Sequence, residues 1–272
     1  MTYTSITVDK KGGVATVTLS RPEKLNTMNH AFFKDIGECF TALDDDVSVR
    51  AIVLCAEGRL FTAGLDLKEA AETLGNTAGD PGRVRERLRR HIIWMQSTFS
   101  AIENCRQPVI AAIHNCCIGG GIDLISACDI RLASTDAWLA IEEINVAIVA
   151  DLGTLQRAPY LLPQGILREL AYTGRKFRAE EALHYGFINR ILPDHEAVMI
   201  SAHELAHEIA NKSPLAVSGT KHILNHTRDH SIKDGLEYVA AWNSGQVIGE
   251  DVMKAGMAAL TKQQAEFDDL ME

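Results

Sequence analysis

The chain has 272 residues, 46% of them apolar, a net charge of -9 and a pI near 5.6. That length and apolar fraction suit one large domain, or one domain with an appended piece, and supply an ample core. The acidity argues against a nucleic-acid binder, which would carry a basic face. No run of about 18 apolar residues could span a membrane. The segment Met1 to Asp9 is polar and β-prone, unlike a signal peptide.

In chain order, Ile6 to Leu19 alternates and reads as a hairpin turned at Lys11-Gly12-Gly13, ended by Arg21-Pro22. Asn29 to Leu43 carries Phe32, Phe33, Ile36, Phe40 and Leu43 at helical spacing. The unbroken apolar run Ala51-Ile52-Val53-Leu54-Cys55 reads as a strand buried on both faces. Ala63 to Leu67 opens a helix or turn, capped by Asp66. Leu74 to Arg83, rich in Gly, Asn, Asp and Pro, reads as a mobile loop. His91 to Asn104 reads as a helix and Pro108 to Ile113 as a second buried strand. A helix starts within Gly119 to Ser126, and short strands follow at Ile130 to Ala133 and Trp138 to Ile141. Beyond Leu162 almost everything reads as helix, over 166–173, 179–185, 196–212, 214–225, 231–249 and 252–264. Alternation of strand and helix predicts an α/β fold with a largely parallel sheet.

Six cysteines match no zinc spacing, and a chain this long needs no disulfide scaffold, so they read as buried free thiols in a reducing compartment. Cys117 has no histidine partner in view and makes a poor nucleophile. Arg83, Arg85, Arg87, Arg89 and Arg90 read as a solvated helix face or a site for a phosphate.

The chemistry-bearing stretch is Cys117-Ile118-Gly119-Gly120-Gly121-Ile122-Asp123, followed by Glu143 and Asp151. Carboxylates among glycines and apolar residues are candidates for proton transfer, and glycines that bare backbone N–H groups suggest an oxyanion site. Structural readings stand beside these. The glycines could form a plain strand-to-helix turn, Asp123 could serve a helix start, and Asp151 could be an N-cap. Asp129, beside Cys128 and Arg131, reads as structural.

Four stretches, in order, resemble the crotonase (enoyl-CoA hydratase/isomerase) superfamily. They are Arg21-Pro22-Glu23-Lys24-Leu25-Asn26; Phe61-Thr62-Ala63-Gly64-Leu65-Asp66-Leu67-Lys68; Ile118 to Leu124 with Ala127-Cys128-Asp129-Ile130-Arg131; and Asp151-Leu152-Gly153-Thr154-Leu155-Gln156-Arg157. The resemblance implies a ββα spiral core over residues 1–200 and a helical region over 201–272 that builds homotrimers, commonly doubled to hexamers. It implies an oxyanion hole from the N–H groups of Leu65 and Gly120. Coenzyme A contacts are implied at Lys24, Leu25, Ala63, Gly64, Leu65, Gly119 and Gly120. The substrate would be an acyl-CoA thioester, and no cofactor or metal is needed because only protons move.

Hydratases of this family use two glutamates, one three residues after the middle glycine and one 20 residues further on. Here those positions are Asp123 and Glu143, with Asp151 as a third acid. The trio resembles the Δ3,5-Δ2,4-dienoyl-CoA isomerase branch, as do Ser213 to Val217, Arg228 to Ser231 and Tyr238 to Asn243. The resemblance assigns the C2 proton to Glu143 and the C6 proton to Asp151, with Asp123 tuning the site. Three acids in one apolar pocket predict at least one raised pKa. The alternatives are a hydratase or Δ3-Δ2 isomerase of the same fold, and a non-catalytic binding protein. The expected place is the cytosol if bacterial, otherwise a mitochondrial or peroxisomal matrix; the last residues, Asp268 to Glu272, are not a Ser-Lys-Leu address.

Overall fold

The computed structural model describes residues 2–75 and 78–270. Among these, the strands are β1 (Ile6–Lys11), β2 (Val14–Leu19), β3 (Ala51–Ala56), β4 (Val109–Ile113), β5 (Cys116–Ile118), β6 (Ile130–Ser134), β7 (Trp138–Ala140), β8 (Phe177–Arg178) and β9 (Arg190–Leu192). The helices are α1 (His30–Asp45), α2 (Leu67–Gly75), α3 (Pro81–Asn104), α4 (Gly120–Ser126), α5 (Thr154–Arg157), α6 (Gln164–Thr173), α7 (Ala179–His184), α8 (His195–Ala210), α9 (Pro214–Arg228), α10 (Ile232–Gln246) and α11 (Glu250–Thr261).

One sheet runs β1-β2-β3-β4-β6-β9, parallel throughout except for the β1–β2 hairpin. A smaller sheet orders β5-β7-β8. The apolar run in β3 has a direct cause. Ile52, Leu54 and Ala56 face a core shared with α1 and α3, while Ala51, Val53 and Cys55 face a second core. Val198, Ala202, Ala206 and Ala210 of α8 supply that second core. With both faces buried, no polar alternation is possible.

Helix α1 starts where Asn29 accepts the Phe32 N–H at 2.9 Å, and buries Phe32, Phe33, Ile36, Phe40 and Leu43. Helix α3 is longer than its periodicity predicts, beginning at Pro81 rather than His91. Asp80 accepts the Arg83 N–H at 3.1 Å and Pro81 takes the first helical position. The turns before His91 carry mostly polar, exposed side chains, so they show no buried stripe for periodicity to detect. The loop expected over 74–83 is correspondingly narrower, and residues 76 and 77 of it lie outside the described residues. Strands β5, β8 and β9 have only two or three residues and give no period to read.

Asp129 is structural, as expected. It accepts the Val109 N–H and the Lys221 ammonium, both at 2.8 Å. All six cysteines are free and buried.

Candidate active site

Two glycine turns lie side by side because their flanking strands bond to each other. The Thr62 N–H donates to the Cys116 carbonyl at 3.0 Å, and the Ile118 N–H donates to the Thr62 carbonyl at 3.3 Å. On the other side, the Met28 N–H reaches the Gly64 carbonyl and the Asp66 N–H reaches the Met28 carbonyl, both at 2.9 Å. Asn26 underpins this, donating from its buried amide to the carbonyls of Glu57 and Leu60. Asp66 also accepts the Glu69 N–H in the first turn of α2, as the sequence predicts.

Gly64 has φ +79°, and a Cβ there would lie 2.8 Å from the Ile118 carbonyl oxygen. Gly119 has φ +54°, with the Gly64 Cα 3.9 Å from where its Cβ would be. At Gly64 both the positive φ and this close approach call for glycine, and at Gly119 the positive φ does. The N–H groups of Leu65 and Gly120 follow directly. Among the described residues neither meets an acceptor within the protein. Gly120 opens α4, so its N–H is one that helix geometry leaves unpaired.

Both N–H groups belong to residues lining a cavity of about 600 Å³, together with Ala63, Gly64, Gly119, Asp123, Glu143 and Asp151. The three carboxylates separated by 28 residues of sequence thus share one space, with Met28, Phe33, Ile92 and Met95 supplying apolar wall. Lys24 and Leu25 stand one step back. Neither lines the cavity, but the Leu25 carbonyl accepts the Ala63 N–H at 3.0 Å.

Asp123 is 1% exposed on α4. Burial pushes its carboxyl up to about 6, opposed by the Thr154 N–H, which donates to it at 2.6 Å, and assisted by the neighbouring Asp151. Glu143 sits in the single turn after β7, and one of its oxygens is buried with no hydrogen-bond partner among the described residues. Burial first, then the charge of Asp123, raises it to about 7. Burial also raises Asp151. Glu142, next to Glu143, is different, accepting from Asn145 at 2.7 Å. A set of acids with raised pKa values can hold and pass protons near neutral pH.

Sequence reasoning missed Gln96, whose amide donates to the Asp151 main-chain carbonyl at 2.6 Å, and the Thr154 N–H on Asp123. It also missed His30, Glu69 and His91 on the cavity wall. Cys117 is fully buried and its thiol is pushed far up by that burial, which fits an inert thiol. Of the arginine cluster, Arg89 and Arg90 pair with Glu86 and Arg83 with Asp80, all exposed, as on a solvated helix face.

Residues 9–270 match the family model described as enoyl-CoA hydratase/isomerase. A Δ(3,5)-Δ(2,4)-dienoyl-CoA isomerase of Rattus norvegicus, described as mitochondrial, is 43% identical, covering 92% of this chain and 77% of its own. A peroxisomal protein of the same name from Arabidopsis thaliana is 42% identical over 92% of this chain and 90% of its own. An enoyl-CoA hydratase structure from Bacillus anthracis superposes with a TM-score of 0.88 at 29% identity, covering 97% of this chain and 99% of that one. On the family match and these identities, the chain belongs to the enoyl-CoA hydratase/isomerase family.

Proposed function

We propose that this protein is a Δ3,5-Δ2,4-dienoyl-CoA isomerase acting in fatty acid β-oxidation. The observation that carries the reading is the acid trio on one cavity, beside two N–H groups that meet no acceptor among the described residues. The two relatives at 42–43% identity support the same activity.

In this reading the thioester carbonyl receives the N–H groups of Leu65 and Gly120. Ionised Glu143 takes a proton from C2, and the electron pair moves onto the carbonyl oxygen as an enolate. Each donor held ready for that oxygen contributes about 3 kcal/mol to the transition state. The enolate then collapses, moving the double bonds into conjugation, while protonated Asp151 gives its proton to C6. Glu143 ends protonated and Asp151 ionised, and exchange with solvent resets both. C2 and C6 lie at opposite ends of the diene, so one carboxylate cannot easily serve both. An apolar acyl chain would displace water from the cavity and favour the protonated form of Asp151. Asp123, tied to Thr154, keeps the shorter arm that distinguishes this site from a two-glutamate hydratase.

The helical region after residue 200 is assigned to assembly as a trimer or a doubled trimer. Exposed apolar side chains support this, with Ile232 on α10 80% exposed and Leu260 on α11 83% exposed. No helix among the described residues is long and apolar enough to cross a membrane. A mitochondrial or peroxisomal matrix is supported by the names of the two relatives.

The test is a substrate panel with the Asp151→Asn variant alongside. The wild type should convert a 3,5-dienoyl-CoA and the variant should lose that conversion. Robust hydration of crotonyl-CoA with no dienoyl conversion would overturn the reading.

A further inference from the structure

The residues Asp151-Leu152-Gly153 belong to no helix or strand, yet Asp151 must aim at one carbon of a bound chain. Something outside the segment has to fix its backbone; Asp123 of α4 holds the Thr154 N–H just after it, and α3 holds the segment itself. The Gln96 amide donates to the Asp151 carbonyl at 2.6 Å. One residue on, the Leu152 carbonyl accepts from Arg157 Nη1 at 3.3 Å. That guanidinium lies over Gly153, where a Cβ would come within 1.8 Å of it. Gly153 also has φ +132°, a backbone conformation that calls for glycine. Arg157 is in turn held by Glu103, at 3.0 Å from Nη2 and 3.1 Å from Nε, and by Ser100 Oγ at 3.2 Å.

Gln96, Ser100 and Glu103 are spaced i, i+4, i+7 and therefore share one face of α3. A single stripe of one helix thus holds the segment, directly at Asp151 and through Arg157 at Leu152. Ile92 and Met95 of the same helix line the cavity. Helix α3 so spans both the wall along the acyl chain and the mount of the acid. A simple glue between α3 and α5 would need Glu103 and Arg157 but not a bond to the carbonyl of Asp151 itself.

We propose that Gln96 is a positioning residue for the Asp151 carboxylate, acting through the Asp151 main chain, and that it governs the proton transfer at C6 without governing the one at C2. The proposal rests on the isomerase reading above. Misplacing a reacting group by about 1 Å costs on the order of 100-fold in rate. Glu143 lies on a different turn, after β7, and Gln96 makes no bond to it.

The experiment incubates a 3,5-dienoyl-CoA with enzyme in D2O. Deuterium at C2 of recovered substrate reports the Glu143 step, and 2,4-dienoyl-CoA formation reports completion at C6. In Gln96→Leu, product formation should fall about 10- to 100-fold while C2 exchange changes by less than about twofold. The ratio of exchange to product should rise at least about tenfold. Gln96→Glu, which keeps the length but presents no amide donor at neutral pH, should move the ratio the same way and stands in if the leucine variant does not fold. In an Asp151→Asn background, where only residual conversion remains, Gln96→Leu should change that residual rate by less than about twofold, because the group it positions is already gone. Equal losses of exchange and product would mean a merely structural role and overturn the proposal, as would full additivity with Asp151→Asn. Wild-type protein that forms no 2,4-dienoyl product overturns the isomerase reading itself, a result distinct from either.

Discussion

Replacing Glu143 by glutamine keeps the shape of the side chain and removes its charge. Burial, aided by Asp123, raises this carboxyl from its ordinary 4.5 to about 7. Each tenfold change in proton affinity corresponds to about 1.4 kcal/mol, so the ionised form costs the folded state about 3 kcal/mol. Below pH 4.5 the group is protonated in both folded and unfolded chains and titration contributes nothing. Between 4.5 and about 7 the unfolded chain releases the proton while the fold keeps it, so stability falls as pH rises. Above that window both states are ionised and the loss is complete. Glu143→Gln does not titrate and escapes this loss. Its unfolding free energy from urea titration should lie within about 0.5 kcal/mol of wild type near pH 4 and exceed it by about 3 kcal/mol near pH 8. Because part of the rise comes from Asp123, the gain should shrink in an Asp123→Asn background. A difference that stays constant with pH, or one that grows toward acid, would refute a buried, destabilised Glu143 carboxylate.

Three further outcomes follow from the geometry. Gly64→Ala places a methyl 2.8 Å from the Ile118 carbonyl at φ +79°, so the Leu65 N–H must move; kcat should fall on the order of 100-fold in the dienoyl-CoA assay. Lys221→Met removes a buried ammonium that serves Asp129 at 2.8 Å and the Gln107 carbonyl at 2.9 Å, and should lower urea stability by about 3 kcal/mol. Asp123→Glu adds a methylene at a site 1% exposed whose oxygen lies 2.6 Å from the Thr154 nitrogen. It should cost about 1–3 kcal/mol by the same titration and lower isomerisation, which a direct rate measurement checks.

The elements most legible in the sequence are those whose pattern has one cause. The β1–β2 hairpin is set by alternation around Gly12-Gly13, and β3 and β4 by runs buried on both faces. The start of α3 was readable in principle, since Asp80-Pro81 is an N-cap and first-turn pair, but exposed side chains hid it. The cavity was legible only in part. Asp123, Glu143 and Asp151 stand out as carboxylates in apolar or glycine-rich company. Nothing marks Gln96, a common polar residue in a helix, as the partner of a carbonyl 55 residues away. Likewise the Thr154 contact to Asp123 is made by a backbone N–H, which every residue but proline carries.

By itself, then, the sequence determined the class of fold, the family, the glycines and the identity of the acids, because these depend on local pattern and residue type. Tertiary structure alone decided that three acids share one largely apolar cavity, that among the described residues Glu143 rather than Glu142 keeps a buried oxygen without a partner, and that Gln96 of α3 bonds the Asp151 carbonyl. Desolvation and hydrogen-bond geometry depend on what surrounds a group in three dimensions, and those surroundings come from segments far apart in the chain.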